Sequence, residues 1–207
     1  MHYLIEFAGL MAVFSLVVVA PGADTAMVMR QSLAFGRPAG IATSFGVGSS
    51  LLLHLTYTIL GLGLLVAKSI MIFNLLKLAG ALYLLVLGIK TWRAPAFVAP
   101  VVAASAARPA SLRDFGRGFI TNALNPKPVL FFLSLFSTLV SPQTPLLVQG
   151  LYGLGMAATL IGWLAMVASF LTVPKVRGQF SRAGRWINRV AGALFVGFGV
   201  KLALARV

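Results

Sequence analysis

A chain of 207 residues that is 59% hydrophobic and only 10% charged has too little polar surface to fold as a soluble domain. Its mean hydropathy of +0.97 indicates an integral membrane protein. The formal net charge of +14 would suit a nucleic-acid-binding protein, so the positions of the basic residues have to decide that question.

Six apolar runs approach the roughly 20 residues that a helix needs to cross a bilayer of about 30 Å. A stretch rich in alanine and proline, at about 94–112, is the only plausible linker, and it separates repeat one (about 1–93) from repeat two (about 113–207) of a single transmembrane domain, 1–207. Three spans per half place the halves in opposite orientations. We therefore predict an all-α integral membrane protein with six transmembrane helices in two inverted three-helix repeats. The predicted spans are Tyr3–Ala20, Ile41–Val66, Ile70–Ile89, Phe119–Val140, Leu147–Val173 and Val190–Ala205.

Two short matches between the halves favour an internal duplication. Ala-Gly-Ala-Leu followed by an aromatic residue occurs at 79–83 and again at 191–195. Each match leads to a Gly-aliphatic-Lys triplet, at 88–90 and at 199–201. Either match alone is weak in apolar sequence, but the two together make duplication the better interpretation.

The basic residues alternate between the two sides of the predicted membrane. Because Lys and Arg in short loops stay in the cytoplasm, this alternation places both termini outside. It also assigns the charge to membrane orientation rather than to a groove for nucleic acid. The cytoplasmic set is Arg30, Arg37, Lys90, Arg93, Arg108, Arg113, Arg117, Lys175, Arg177, Arg182, Arg185 and Arg189; the outer set is Lys68, Lys201 and Arg206; Lys77 and Lys127 fall within spans.

Each half contains one polar break in otherwise apolar sequence, at Pro21-Gly22 in the first half and at Asn125-Pro126 in the second. Pro21 follows Phe14 by seven residues, as Pro126 follows Phe119. Proline frees backbone groups that lipid cannot satisfy, so such breaks persist only where protein or a water-filled cavity receives them. Matching interruptions in two halves of a membrane protein indicate the binding site of a transporter. We therefore predict broken helices at both places.

Charged residues accompany both breaks. For Asp24, two roles stay open: capping the helix that resumes there, or binding a substrate ammonium or a coupling proton. For Lys127, the alternatives are an ion pair with Asp24 or an anion site for a carboxylate, formed together with the start of the resuming helix. Asn122 and Asn125, three residues apart, are expected to lie on one face and to add amide partners.

Spacing alone leaves open whether Asp24 and Lys127 share one cavity. Lys127 lies roughly 13 Å into its span, near the middle of the bilayer, whereas Pro21 lies roughly 27 Å along a span that begins at Tyr3. Only a strong tilt or a later start of that span would bring the two breaks together.

The remaining polar residues give weaker signals. His54 is either a packed, hydrogen-bonded histidine or a proton relay. We expect Glu6 to reach the headgroups and Asp114 to be a solvated surface residue. The sequence contains no metal-ligand cluster, no cofactor motif and no nucleophile–base spacing, so we predict neither a metal, nor a cofactor, nor an enzyme.

The chain resembles the LysE/RhtB family of amino-acid exporters along nearly its whole length. The resemblance lies in Pro21-Gly22, in the segments 30–40, 45–48 and 78–88, in Gly118-Phe119 with Asn122, in Asn125-Pro126-Lys127 and in Phe131-Phe132. The chain departs from the family at Ala23, where a second proline is usual, and at Ser50, where glycine is usual.

This resemblance implies a six-spanning exporter of amino acids or close derivatives in the inner (plasma) membrane of a bacterium, driven by proton antiport. Its partners would be a small amino-acid-like substrate and the lipid bilayer, with a homo-oligomer possible and no nucleic acid. The family's polar motifs map onto Pro21, Gly22 and Asp24, and onto Asn125, Pro126 and Lys127. An exporter or channel for another small solute, and a non-transporting membrane assembly subunit, stay open as alternatives.

Overall fold

The computed structural model describes residues 1–68, 70–95, 100, 107–141, 143–170 and 173–204. These residues form helices and contain no strand, which confirms the predicted all-α class. Most of the predicted linker lies outside the described residues. The helices are α1 (His2–Val19), α2 (Ala23–Phe35), α3 (Arg37–Lys68), α4 (Ile70–Arg93), α5 (Leu112–Ala123), α6 (Pro126–Leu139), α7 (Leu146–Phe170) and α8 (Pro174–Leu204).

Four helical stretches in the described ranges are long and apolar enough to cross a membrane: His2–Val19, Arg37–Gly61, Leu146–Phe170 and Arg182–Leu204. Helix α6 is apolar but shorter. An all-helical chain with several spanning helices fits an integral membrane protein.

Both predicted helix breaks are confirmed. Helix α1 ends before Ala20, whose backbone is extended, and α2 begins only after Pro21 and Gly22. Helix α5 ends at Ala123, and α6 begins at Pro126 with Asn125 as its N-cap. Proline has no backbone N–H and disfavours a helical residue before it, so each helix ends where the sequence predicts.

Helix α8 begins sixteen residues before the predicted start of span six at Val190. The basic residues assigned to a loop after span five, from Lys175 to Arg189, therefore lie on the first half of a 31-residue helix. Apolar runs locate only the part of a helix that lipid surrounds. For this reason the apolar run that begins at Val190 did not predict the polar first half of α8.

Helix α3 is the centre of the packing, because it contacts α2, α5, α6 and α7, while α4 packs mainly on α8. Glycine permits the closest of these contacts. A Cβ added at Gly118 of α5 would collide with the Thr43 carbonyl oxygen of α3, and one at Gly46 would collide with the Phe115 carbonyl oxygen. Small residues at such crossings let helix backbones touch. This contact fixes α5, and with it Asn122, against the core.

Contrary to our prediction, Glu6 does not reach the lipid headgroups. Its residue is only 6% exposed, and its carboxylate accepts hydrogen bonds from the Ser141 backbone N–H at 2.9 Å, the Thr144 hydroxyl at 2.9 Å and the Tyr152 hydroxyl at 2.9 Å. His2 also lies 2.9 Å from Glu6. A carboxylate supplied with this many donors is stable away from water. Glu6 therefore ties the start of α1 to the loop between α6 and α7.

Asp114 is not the solvated surface residue that we predicted. It is 0% exposed and accepts two hydrogen bonds from the Arg108 guanidinium, at 2.8 and 2.9 Å. Ser111 donates both its backbone N–H and its hydroxyl to the same carboxylate, in a capping box. The hydrogen bonds from Arg108 lower the pKa of Asp114 to about 2. Asp114 thus anchors the first turn of α5 as a permanent anion.

Two glycines of α5 provide a matched test of the α3–α5 contact. We expect Gly118→Ala to destabilise the protein by about 1–3 kcal/mol, because the new methyl group meets backbone atoms of α3. Gly116→Ala, two residues earlier, meets nothing within 4 Å and should be neutral or slightly stabilising. Thermal unfolding of the purified protein in detergent measures both. Equal melting temperatures for the two variants would contradict the close contact.

Candidate functional site

The two helix breaks face one cavity of about 90 Å³, which has room for several water molecules. Its polar wall comes from both halves of the chain: Gly22, Ala23, Asp24 and Thr25 on one side, and Asn122, Asn125 and Lys127 on the other. The rest of the wall is apolar, apart from the backbone. It consists of Phe14, Val17, Val18, Ala20, Leu51, Pro128, Phe131, Phe132, Leu160 and Leu164.

Asp24 and Lys127 share this cavity, which spacing along the sequence could not decide. A direct hydrogen bond joins the two halves here: the Asn122 side-chain N–H donates to Asp24 Oδ2 at 3.0 Å. The amide must point its nitrogen at Asp24, because an ionised carboxylate only accepts. Among the described residues, no ion pair joins Asp24 to Lys127. The direct ion pair that was one alternative for Lys127 is therefore not among the described contacts, although the two opposite charges attract each other across the cavity they share.

Two acceptor oxygens in the cavity wall lack a donor. Asp24 Oδ1 and Asn122 Oδ1 are both buried and have no hydrogen-bond partner in the described part of the chain. A buried acceptor left unpaired costs about 1–3 kcal/mol, and more when it is charged. The pair of oxygens is therefore chemically complementary to a group that carries several N–H donors.

The Lys127 side chain brings a positively charged donor to the same cavity wall. Its Nζ sits 5.1 Å from the centre of the Phe195 ring, in a cation–π contact. No oxygen of the described residues accepts a hydrogen bond from this ammonium group. Among the described residues, the cavity wall thus includes a cation that forms no ion pair and two acceptor oxygens that have no donor.

The start of α6 does not supply the free N–H groups that the sequence interpretation assigned to it. Pro126 and Pro128 have no N–H, and the Lys127 N–H already donates to Asn125 Oδ1 at 3.0 Å. The free end is instead that of α2, which no side chain caps. Its first intrahelical bond runs from the Ala26 N–H to the Gly22 carbonyl, so the N–H groups before Ala26 stay available. These groups belong to residues that line the cavity.

His54 lies behind the cavity rather than in its wall. It is 1% exposed, and its Nε2 lies 2.9 Å from the Asn122 carbonyl oxygen. A carbonyl only accepts, so Nε2 carries the proton, and Nδ1 of the neutral ring then accepts from the Tyr57 hydroxyl. The ring is thus packed and hydrogen-bonded, and it touches the backbone of the residue that holds Asp24; the choice between a packing role and a proton relay stays a prediction.

Pro21 and Pro126 do not line the cavity either; they end or begin the helices that form it. The apolar wall and Phe195 were not singled out from the sequence as site residues. Aromatic residues are abundant in this chain, with 15 phenylalanines. Only the fold separates the phenylalanines at the cavity from those that face lipid.

Comparison with known proteins places the chain in a family. Residues 15–206 match the family described as LysE type translocator. The chain is 30% identical to the threonine efflux protein of Escherichia coli (strain K12) over 194 residues, which cover 91% of this chain and 93% of that protein. It is also 30% identical to the homoserine/homoserine lactone efflux protein of Salmonella typhimurium over 195 residues, which cover 93% of each. No solved structure matches the chain significantly. The chain belongs to the LysE type translocator family.

Proposed function

We propose that this protein exports a small neutral amino acid, or a close derivative, across the plasma membrane of a bacterium in exchange for protons. The observation that carries the proposal is the division of charge in the cavity. Unpaired acceptors of Asp24 and Asn122 lie in the same wall as the ammonium group of Lys127, which forms no ion pair within 4 Å among the described residues. An amino-acid zwitterion supplies both missing partners.

The ammonium of the substrate would donate to Asp24 Oδ1 and Asn122 Oδ1. Its carboxylate would bind between the Lys127 ammonium and the free N–H groups at the start of α2, whose dipole favours an anion. Each end of the zwitterion then meets a complementary charge, which offsets the cost of removing it from water. The substrate side chain would face the apolar wall.

The cavity is small, and Asp24 and Lys127 are the charged residues among the described ones that line it, which favours a substrate with a short, uncharged side chain. The relatives described as threonine and homoserine efflux proteins are consistent with a substrate of this size.

Asp24 also offers a physical basis for proton coupling. Its carboxylate can hold either the substrate ammonium or a proton, but a protonated carboxyl gives an ammonium much less attraction. Binding of the two is therefore competitive. A site that opens alternately to the two sides would release the amino acid outside, take up a proton there and return, which is antiport.

We further propose the six-span arrangement in two inverted repeats. Support comes from the crossing of α4 and α8, the last helices of the two halves. A Cβ added at Gly88 would lie 2.8 Å from the Gly192 carbonyl oxygen, and one at Gly192 would lie 2.7 Å from the Gly88 carbonyl oxygen. Gly199 meets the Ala81 carbonyl oxygen at 3.0 Å in the same way. The last helices of the two halves thus approach each other closely at two places, Gly88 with Gly192 and Gly199 with Ala81, near the ends of the two matching motifs.

A counterflow assay in proteoliposomes tests the transport proposal. We expect the wild-type protein to accumulate labelled threonine or homoserine against an internal pool of the same amino acid. Lys127→Ala should weaken apparent substrate affinity at least about 30-fold, because the carboxylate loses its buried cation. Asp24→Asn should abolish the response of net flux to a pH gradient, since the amide carries no exchangeable charge.

Lys201→Ala, which removes an exposed lysine of α8, is the matched control and should transport normally. Normal loading and export by Lys127→Ala would refute the assigned role. Downhill flux without counterflow would indicate a channel, and no flux through folded protein would indicate an assembly subunit.

His54 is proposed as a positioning residue, which acts through the Asn122 backbone. His54→Leu removes the donor to the Asn122 carbonyl and should raise the half-saturation concentration about five- to tenfold. His54→Gln keeps an N–H near the same place and should restore it, with an unchanged dependence of transport on pH. If His54→Gln also fails and the pH profile flattens, His54 is a proton relay instead.

Membrane orientation can be tested cleanly because the chain has no cysteine. We expect Gln143→Cys to react with a membrane-impermeant thiol reagent in intact cells and Arg113→Cys to react only after permeabilisation, since both side chains are exposed. The reverse labelling pattern would overturn the proposal that both termini lie outside.

A further inference from the structure

A second, larger concave surface lies on the outside of the helix bundle. It is a groove of about 460 Å³ between the last two turns of α7 and the first turns of α8. Trp163, Met166 and Phe170 line it from α7, and Val176, Gln179 and Ala183 line it from α8. The walls are almost entirely apolar, and several of these side chains are exposed.

The groove lies at the level of the membrane boundary. Its α7 wall belongs to the end of the apolar stretch Leu146–Phe170, whereas most of its α8 wall precedes the apolar stretch Arg182–Leu204. At this depth the lipid tails give way to glycerol esters and headgroups. An occupant of the groove would therefore have an apolar part beside α7 and a polar part beside the start of α8.

The rim of the groove is cationic and lacks an anion of its own. Lys175 and Arg182 are exposed and lie four residues before and three residues after Gln179, so they share its helix face. The chain has three acidic residues, and all are engaged elsewhere. Glu6 binds His2, Asp24 binds Asn122 and Asp114 binds Arg108.

A polar donor inside the groove also lacks a partner. The indole Nε1–H of Trp163 is buried and meets no acceptor among the described residues. Trp163 packs against Phe180 of α8, so the indole is held in place rather than turned to bulk water. A buried donor of this kind is normally paired. An ester carbonyl at the level of the lipid glycerol would supply the acceptor.

We propose that this groove is a binding site for one anionic phospholipid. The acyl chain lies along Met166, Phe170 and Val176, an ester carbonyl accepts from Trp163 Nε1, and the headgroup phosphate binds Lys175 and Arg182. Charge complementarity selects an anionic lipid over a zwitterionic one, because basic side chains near a membrane surface attract net negative headgroups. The groove shares no lining residue with the amino-acid cavity, although α7 contributes to both.

Tryptophan fluorescence provides the test, because Trp163 itself lines the groove. In a Trp92→Phe/Trp186→Phe background, Trp163 is the single remaining tryptophan of the three. The protein is reconstituted in phosphatidylcholine vesicles with a minor fraction of brominated phosphatidylglycerol or, for comparison, brominated phosphatidylcholine. We expect the anionic quencher to act at a much lower mole fraction. We expect the preference for the anionic lipid to fall about fivefold with Lys175→Gln or Arg182→Gln alone. With both substitutions together it should fall roughly 25-fold.

Matched variants distinguish a specific lipid site from the general attraction of a basic protein to anionic lipids. Arg37→Gln/Arg93→Gln removes two exposed cations elsewhere and should leave the preference intact. Ala183→Phe fills the groove without a change of charge and should lower quenching by both lipids. Equal quenching by the two brominated lipids in the parent protein would overturn the proposal. So would a protein that purifies as a dimer and in which neither lipid quenches Trp163, since a second copy would then cover the groove.

Discussion

The hydrogen bond from Asn122 to Asp24 is the contact on which the arrangement of the site depends. It crosses between the two halves of the chain at the place where each has a broken helix, and it measures 3.0 Å. It uses Oδ2 of Asp24 and the side-chain nitrogen of Asn122, and it leaves Asp24 Oδ1 and Asn122 Oδ1 without donors among the described residues. The helix breaks create the cavity, and this hydrogen bond determines which polar atoms of Asp24 and Asn122 stay without a partner.

Two further sets of polar contacts join the halves of the chain. Glu6 links α1 to Ser141, Thr144 and Tyr152 of the second half. At the other end, Arg117 donates to Gln31 of α2 at 2.9 Å and lies 3.8 Å from Asp114. The halves are therefore joined by polar contacts at two ends and in the middle. Such contacts can be exchanged for water at small net cost, whereas a packed apolar seam cannot. The halves also meet in close helix packing, α3 on α5 and α7 and α4 on α8, so the polar contacts add to a packed seam rather than replace it.

The helix breaks were predictable from the sequence because proline acts locally. Pro21 and Pro126 end hydrogen-bonding ladders whatever surrounds them, so their effect can be inferred without the fold. The same holds for the helical class, which follows from apolar length. The relation between Asp24 and Lys127 was not predictable, since it depends on the tilt of α1 relative to α6. Glu6 and Asp114 were misjudged for the same reason: their donors, Tyr152 and Arg108 among them, are brought near by the fold or by a short turn.

The lack of free N–H groups at the start of α6 could have been inferred from the sequence. The run Asn125-Pro126-Lys127-Pro128 contains two residues without an N–H, and the N-cap side chain takes the third donor. No anion can find free backbone donors at that end. The corresponding start at Gly22-Ala23-Asp24 has no capping side chain and no proline after Pro21. Alanine at position 23 therefore matters chemically, since a proline there would remove one of the N–H groups beside the cavity. The two breaks are thus not equivalent: the first offers backbone donors and a carboxylate, and the second offers an amine. A zwitterion bound between them would be held in one orientation.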